Sequence, residues 1–304
     1  MAKRINKAIE LLQEGQPVYA SHPEELSYDA GVKQSQTWAD ILLVDFEHHP
    51  FDTVGLTAFM KGLRDGGPTP SGHLTPTVIT TLPHNAITRE EVLYNAWQAR
   101  HALTTGIHGL LHTHARDPES VKAFVATSRY VFQTIGRDII PEGLRGGGGQ
   151  KPCNDIWGLS IAEYSKKADP WPLNPEGELL LGLKIEDRHC LANADYTAAV
   201  PGIGFAEWGP GDMGMSFGDP DAHDPPYPDI MNHARNKIKS ALDKNGIVFY
   251  SSWMDESMTQ EERLDYIIDE LGCKMVGIPA MLTKAEQKNL LEYGRKKTGR
   301  KMPV

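Results

Sequence analysis

The sequence predicts an α/β fold, a (β/α)8 TIM barrel, and three observations carry that expectation. Eight short runs of apolar or β-branched residues read as strands. Helical patterns with start and stop signals separate nearly all of them, and strands alternating with helices build a parallel sheet. Polar residues gather where the apolar runs end, which in a barrel is the C-terminal face that carries chemistry. The 304 residues accommodate one barrel of roughly 250 residues plus an insertion. An open doubly wound sheet shares the alternation, but no G-x-G-x-x-G follows the first strand, which weakens its dinucleotide-binding version.

Ile5, Ala8, Ile9 and Leu12 recur at helical spacing and give an opening amphipathic helix. Residues 17–20 are a short strand candidate. Residues 41–47 are nearly continuous in apolar side chains and end in acids, which suits a parallel strand covered on both faces. Residues 77–81 are β-branched throughout, hence strand-like. Thr88-x-x-Glu91 is a capping box for a helix running to about Leu103, with Gly106 placed to stop it. Residues 108–114 read as the next strand, and Asp117-Pro118 opens a helix that buries Val121, Phe124 and Val125.

Residues 136–175 break the rhythm with Gly146 to Gly149 and a Pro/Trp stretch at 170–175; a long loop insertion holding a short helix near 161–167 is expected there. Strands return at 179–186 and 202–207. A helix over 229–243 places Ile230, Ala234, Ile238 and Leu242 on one face. A strand at 247–251, a helix from the Thr259-x-x-Glu262 box to Gly272, a strand at 275–278 and a helix capped by Thr283-x-x-Glu286 complete one barrel domain over 1–304. The basic residues between Arg295 and Lys301 read as a solvated, frayed end.

The balance of 31 Lys+Arg against 40 Asp+Glu, a net charge of −9, argues against a nucleic-acid binder. No apolar run is long enough for a transmembrane helix, and no signal-peptide core follows Lys3 and Arg4. Cys153, Cys190 and Cys273 form no C-x-x-C pair, so reduced thiols in a cytoplasmic protein are expected.

Four strand ends carry candidate chemistry. Asp45-Phe46-Glu47-His48-His49 offers a histidine able to exchange protons near neutral pH, with a carboxylate to orient it. The same residues also read as an acidic corner capping the next helix. Glu186 ends a strand that is otherwise Leu and Gly, where a carboxylate is costly unless paired or metal-bound. Asp212 lies in the glycine-rich turn 209–213, whose amides could bind an oxyanion. Two carboxylates on adjacent strand ends suit a hard divalent cation, Mg²⁺ or Mn²⁺; a salt bridge from Glu186 to a neighbouring Lys or Arg is the plain alternative. His112 and His114 alternate along a strand, so both imidazoles could face one site, an H-x-H zinc signal that lacks a third ligand; satisfied core histidines are the plainer alternative.

In this order the motifs resemble the HpcH/HpaI aldolase family of metal-dependent pyruvate aldolases. The matching stretches are Leu42-Leu43-Val44-Asp45-x-Glu47-His48-x-Pro50, Leu144-Arg145-Gly146, Leu183-Lys184-Ile185-Glu186 and Gly209-Pro210-Gly211-Asp212-Met213, within about Arg4 to Pro279. The resemblance implies a (β/α)8 barrel, commonly a hexamer whose subunits exchange a C-terminal helix. It implies Glu186 and Asp212 as metal ligands, His48 paired with Asp45 as general acid/base, and Glu47 as a neighbouring acid. Amides near Gly211 and Asp212 would hold the substrate carboxylate, and Tyr164 matches a motif preceding the metal strand. The third strand ends in Thr80-Thr81 where the family has a substrate-binding arginine. That change, with His112 and His114 on the fourth strand, implies a divergent member with an altered substrate, and makes Thr81, His112 and His114 substrate-side candidates.

The function expected is divalent-metal-dependent cleavage or formation of a 4-hydroxy-2-oxo acid through a pyruvate-type enolate by a homo-oligomer that binds a small 2-oxo acid or related carboxylate. The alternatives are a decarboxylase or other carbon–carbon lyase on a different carboxylate, and a barrel that binds metal and carboxylate without turnover. A hydrolase has no G-x-S-x-G elbow to stand on.

Overall fold

The computed structural model describes residues 2–251, 255 and 257–303. Nine strands run in chain order: β1 (Val18–Ser21), β2 (Ile41–Val44), β3 (Thr77–Thr81), β4 (Gly109–His112), β5 (Pro170–Trp171), β6 (Leu179–Lys184), β7 (Phe205–Glu207), β8 (Val248–Ser251) and β9 (Met275–Gly277). The order β4-β3-β2-β1-β9-β8-β7-β6 is closed by β4 pairing with β6, giving an eight-stranded parallel barrel with the two-residue β5 added beside β6. Around it lie α1 (Lys7–Gln13), α2 (Tyr28–Gln34), α3 (Thr53–Asp65), α4 (Arg89–Tyr94), α5 (Ala96–Leu103), α6 (Pro118–Ser128) and α7 (Gln150–Trp157). The second half adds α8 (Ile161–Lys167), α9 (Arg188–Ala198), α10 (Pro210–Phe217), α11 (Asp229–Lys244), α12 (Gln260–Asp265, continued by a π-helical turn over Tyr266–Glu270) and α13 (Lys284–Thr298).

The near-continuous apolar strands divide their side chains between two cores, as period-2 alternation requires. Ile41, Leu43, Ile79, Leu111, Leu180, Phe205 and Met275 fill the barrel, while Leu42, Val44, Val78, Leu110, Leu181 and Leu183 pack outward against the helices. Gly182 is on the inner face, where any Cβ would collide with the Phe205 ring. Helix α1 plugs the N-terminal end: Ala8, Ile9, Leu11 and Leu12 join the inner cluster. Beside it Asp40, fully buried, takes the Lys7 ammonium at 2.9 Å and the Arg300 guanidinium in a two-pronged bond at 2.7 Å. The basic tail is therefore not frayed: Arg300 closes the barrel floor, because a buried carboxylate demands cationic partners. Burial works against the Asp40 charge, but Lys7 and Arg300 outweigh it and hold the carboxyl below its usual range.

Three local expectations need correction. The helix expected from Thr88 to Leu103 breaks at Asn95, whose amide donates to the Glu91 carbonyl at 2.9 Å, the kind of side-chain bond that competes with the helical ladder. On α11 the inward face is Met231, Ala234, Ile238 and Leu242, and Ile230 is 52 % exposed. Region 136–175 holds α7 and β5 as well as the expected short helix, α8. That region is pinned by the buried Arg129–Asp169 pair, with Nε 2.6 Å from Oδ1. Helix α13 packs on its own barrel through Leu290 and Leu291, both buried.

Candidate active site

The C-terminal ends of β2, β6 and β7 bring the predicted carboxylates together. Strand β2 stops at Val44, and the turn after it is built on Asp45. Asp45 Oδ1 accepts from the Glu47 amide at 2.8 Å, the His48 amide at 3.3 Å and the Thr81 hydroxyl at 3.1 Å. Thr81 also accepts from the amides of Phe46 and Glu47 at 2.7 and 2.9 Å, so its oxygen organises this turn. Burial opposes the Asp45 charge, but these donors prevail and hold its carboxyl below the ordinary value. The side-chain pairing differs from the expected one. Asp45 Oδ2 faces His49 Nδ1 at 3.2 Å, whereas the exposed His48 ring places Nε2 3.5 Å from Glu47 Oε2.

Strand β6 contributes Lys184 and, two residues on, Glu186, which period 2 sends to the same side. Lys184 Nζ lies 2.5 Å from Glu47 Oε2 and 2.9 Å from Glu186 Oε2, and its neighbour in register on β7 is Glu207. This is the salt bridge weighed above as the plain alternative for Glu186. Glu186 Oε1 accepts from the His114 amide at 3.2 Å. Burial disfavours the Lys184 charge, yet Glu207, Glu186 and Glu47 outweigh it and raise the ammonium well above its usual value. Burial raises Glu186 to about 7, with the like charge of Glu47 adding to it and Lys184 opposing. Burial likewise raises Glu207 to about 7.

Glycine makes room for Glu186, since a Cβ at Gly209 would lie 2.5 Å from its Oε2. Gly209 is also the N-cap of α10, which has no side-chain cap and carries Asp212 in its first turn. A Cβ at Gly211 would meet the His223 ring at 3.0 Å.

His112 and His114 part company. His114 has φ +49°, which breaks strand alternation at the end of β4. Its Nδ1 meets Asp187 Oδ2 at 3.0 Å, and its Nε2 lies 3.8 Å from Glu47 and 4.0 Å from Glu186. Asp187 raises the His114 pKa against the effect of burial. Asp187 in turn caps α9 and binds Arg116 Nε at 2.8 Å. His112 points outward, packed between Phe124 and His84 at ring distances of 4.6 Å. Tyr164 is also outside the mouth. It is buried against Trp157 in the outer layer, and its hydroxyl accepts from Arg145 at 3.0 Å. Lys184 and Glu207 were not singled out from sequence. A charged residue within an otherwise apolar strand, on the same face as Glu186, is the signal that marks Lys184.

Among the described residues three groups bring ligand atoms within 4.8 Å of one another: Glu47–His48–Asp212, Glu47–His114–Glu186 and His114–Asp187–Cys190. The third suits a cation poorly, because Asp187 is spent on two helix amides, His114 and Arg116, and burial pushes the Cys190 thiol up. The first two share Glu47 and contain both predicted ligands. Among the described residues four carboxylates, Glu47, Glu186, Glu207 and Asp212, stand around the ammonium of Lys184, and oxygen donors of this kind fit a hard divalent cation.

A parallel barrel with carboxylates converging at its C-terminal mouth has the layout of a TIM-barrel enzyme. The comparisons narrow it. No protein-family model matches the chain. The hydroxypyruvate/pyruvate aldolase of Sagittula stellata is 24% identical over 250 residues, covering 81% of this chain and 84% of that protein. An HpcH/HpaI aldolase/citrate lyase family protein from Burkholderia cenocepacia superposes with a TM-score of 0.67 at 18% identity, covering 96% of this chain and 97% of that one. The HpcH/HpaI aldolase of Desulfitobacterium hafniense gives 0.65 at 19% identity, covering 97% of each chain. CitE from Mycobacterium tuberculosis, in complex with magnesium, acetoacetate and coenzyme A, gives 0.52 at 14% identity, over 92% of this chain and 81% of that one. The structural neighbours are thus proteins of the family that the sequence motifs resemble.

Proposed function

We propose that this chain is a carbon–carbon lyase of the HpcH/HpaI type, dependent on a divalent cation, that cleaves or forms a 4-hydroxy-2-oxo acid. The observation that carries the reading is the convergence of Glu47, Glu186 and Asp212 from three strand ends on one mouth. The magnesium in one structural neighbour and the aldolase names of others support it.

Glu186 and Asp212, with Glu47 beside them, would hold Mg²⁺ or Mn²⁺, and when bound the cation supplies positive charge opposite a developing enolate. The amides of Gly211 and Asp212, in the uncapped first turn of α10, bind the substrate carboxylate. His48 moves the proton at the aldol hydroxyl, and Glu47, 3.5 Å from its Nε2, orients the ring. The reading includes a homo-oligomer, to which the exposed apolar residues Val131, Phe132, Ile135 and Ile139 are suited, and a cytoplasmic location, with which three free thiols agree.

The test is solvent deuterium exchange into the methyl group of pyruvate, followed by NMR. Exchange with Mg²⁺ or Mn²⁺ and none with EDTA is expected. No exchange by protein that binds Mn²⁺ overturns the pyruvate-type substrate.

A further inference from the structure

Lys184 occupies an unusual place. Its stem rises along the inner face of the barrel, its side chain is 10% exposed, and its ammonium bridges Glu47 on the β2 turn and Glu186 after β6. Glu207 stands beside it in register. These are the carboxylates that the reading above assigns to a divalent cation or places next to one. An ammonium is a compact charge on a flexible four-carbon stem, able to swing away as a unit, unlike a guanidinium fixed in a planar fork. The ammonium at 2.5 and 2.9 Å draws on the same carboxylate charge that a cation at roughly 2.0–2.1 Å would use, and the two positive charges repel one another.

We propose that Lys184 is a built-in counter-cation. Its ammonium holds the mouth together when no divalent ion is present, competes with that ion for Glu186 and Glu47, and so sets the affinity of the site. This rests on the assignment of the cation to Glu186 and Asp212. Lys184 acts as a positioning residue: removal of its charge tightens cation binding and leaves the empty site less stable. With a cation held there, the ammonium would be released from Glu186.

The experiment measures Mn²⁺ affinity by titration calorimetry and electron paramagnetic resonance for the wild type, Lys184→Gln and Lys184→Arg, with melting in EDTA and in Mn²⁺. Lys184→Gln is expected to bind Mn²⁺ at least tenfold more tightly, to melt below the wild type in EDTA and to gain more from Mn²⁺. Lys184→Arg keeps the charge in a group that yields less readily and should bind Mn²⁺ no more tightly than the wild type. Unchanged or weaker binding by Lys184→Gln, with normal binding by the wild type, overturns the proposal and leaves the cation site standing. Failure of both proteins to bind overturns the cation site and the proposal with it. A second measurement uses the wild type alone: acetylation of Lys184, read by peptide mass spectrometry, should rise several-fold with Mn²⁺. Equal labelling in Mn²⁺ and EDTA overturns the proposal, as does borohydride trapping of a pyruvate adduct on Lys184.

Discussion

Gly209→Ala adds one methyl group and tests whether the position of the Glu186 carboxylate matters. The backbone accepts it, since φ −86° and ψ 98° are ordinary for alanine. The new Cβ would stand 2.5 Å from Glu186 Oε2 and 3.0 Å from Glu186 Cβ, whereas ordinary contact begins at 3.4 Å. The carboxylate must therefore move by about 0.9 Å. It has little freedom to do so, with Oε1 on the His114 amide and Oε2 on Lys184. Overpacking of this kind costs about 1–3 kcal/mol. At about 2.1 cal/mol/K of unfolding entropy per residue, the 304 residues carry about 0.6 kcal/mol/K, so the melting temperature should fall by about 2–5 °C. A displacement near 1 Å at a reacting centre costs about 10²-fold in rate. The assay is calorimetric melting together with the pyruvate methyl-exchange rate, with Gly147→Ala, whose Cβ meets nothing within 4 Å, as the control. A Gly209→Ala protein that melts and exchanges like the wild type would refute the reasoning.

Two further outcomes are expected. Arg300→Met leaves buried Asp40 with Lys7 and the Tyr19 amide, and removing one partner of a buried ionic cluster costs about 3–5 kcal/mol; urea unfolding should show it, and a loss under 1 kcal/mol would mean that water replaces the guanidinium. His108 is buried against Trp157, its Nδ1 accepting the Val78 amide at 3.1 Å, and burial lowers it to about 3. The unfolded chain takes up that proton near 6.5 and the folded chain does not, so stability falls as pH drops from about 6.5 toward 3 at about 1.4 kcal/mol per pH unit. His108→Gln should remove one proton's worth of that slope between pH 7 and 5, and parallel slopes for the two proteins would count against it.

Strands were legible because their apolar runs end abruptly in polar residues: Val44 before Asp45, Leu183 before Lys184 and Ala206 before Glu207. The same edges brought Glu47, His48, Glu186 and Asp212 into view, and the structure gathers those four at one mouth. The H-x-H pair does not share one site, because alternation holds only while the chain remains a strand; for His112 the plainer reading, a core histidine, is the one the structure bears out. His112 is the last residue of β4, and the left-handed turn at His114 swings that ring inward alone. Tyr164 lies on α8, and no local pattern tells which layer a helix faces when it comes from an irregular insertion. The pairing of His48 with Glu47, and of Asp45 with His49, depends on rotamers that spacing does not encode. Lys184 stood inside a recognised motif, and only its reach across the mouth to Glu47 reveals what it touches.

The Asp40 junction has a consequence for the order of folding. Lys7 and Asp40 meet across a short stretch of chain, but Arg300 arrives after every barrel strand. Contacts of such long sequence separation form late, because the loop they close must be ordered first. A nascent or partly folded chain thus holds a half-neutralised carboxylate under an open floor until its last turn docks. The final ion pair acts as a latch: it rewards only the chain in which the barrel has already closed.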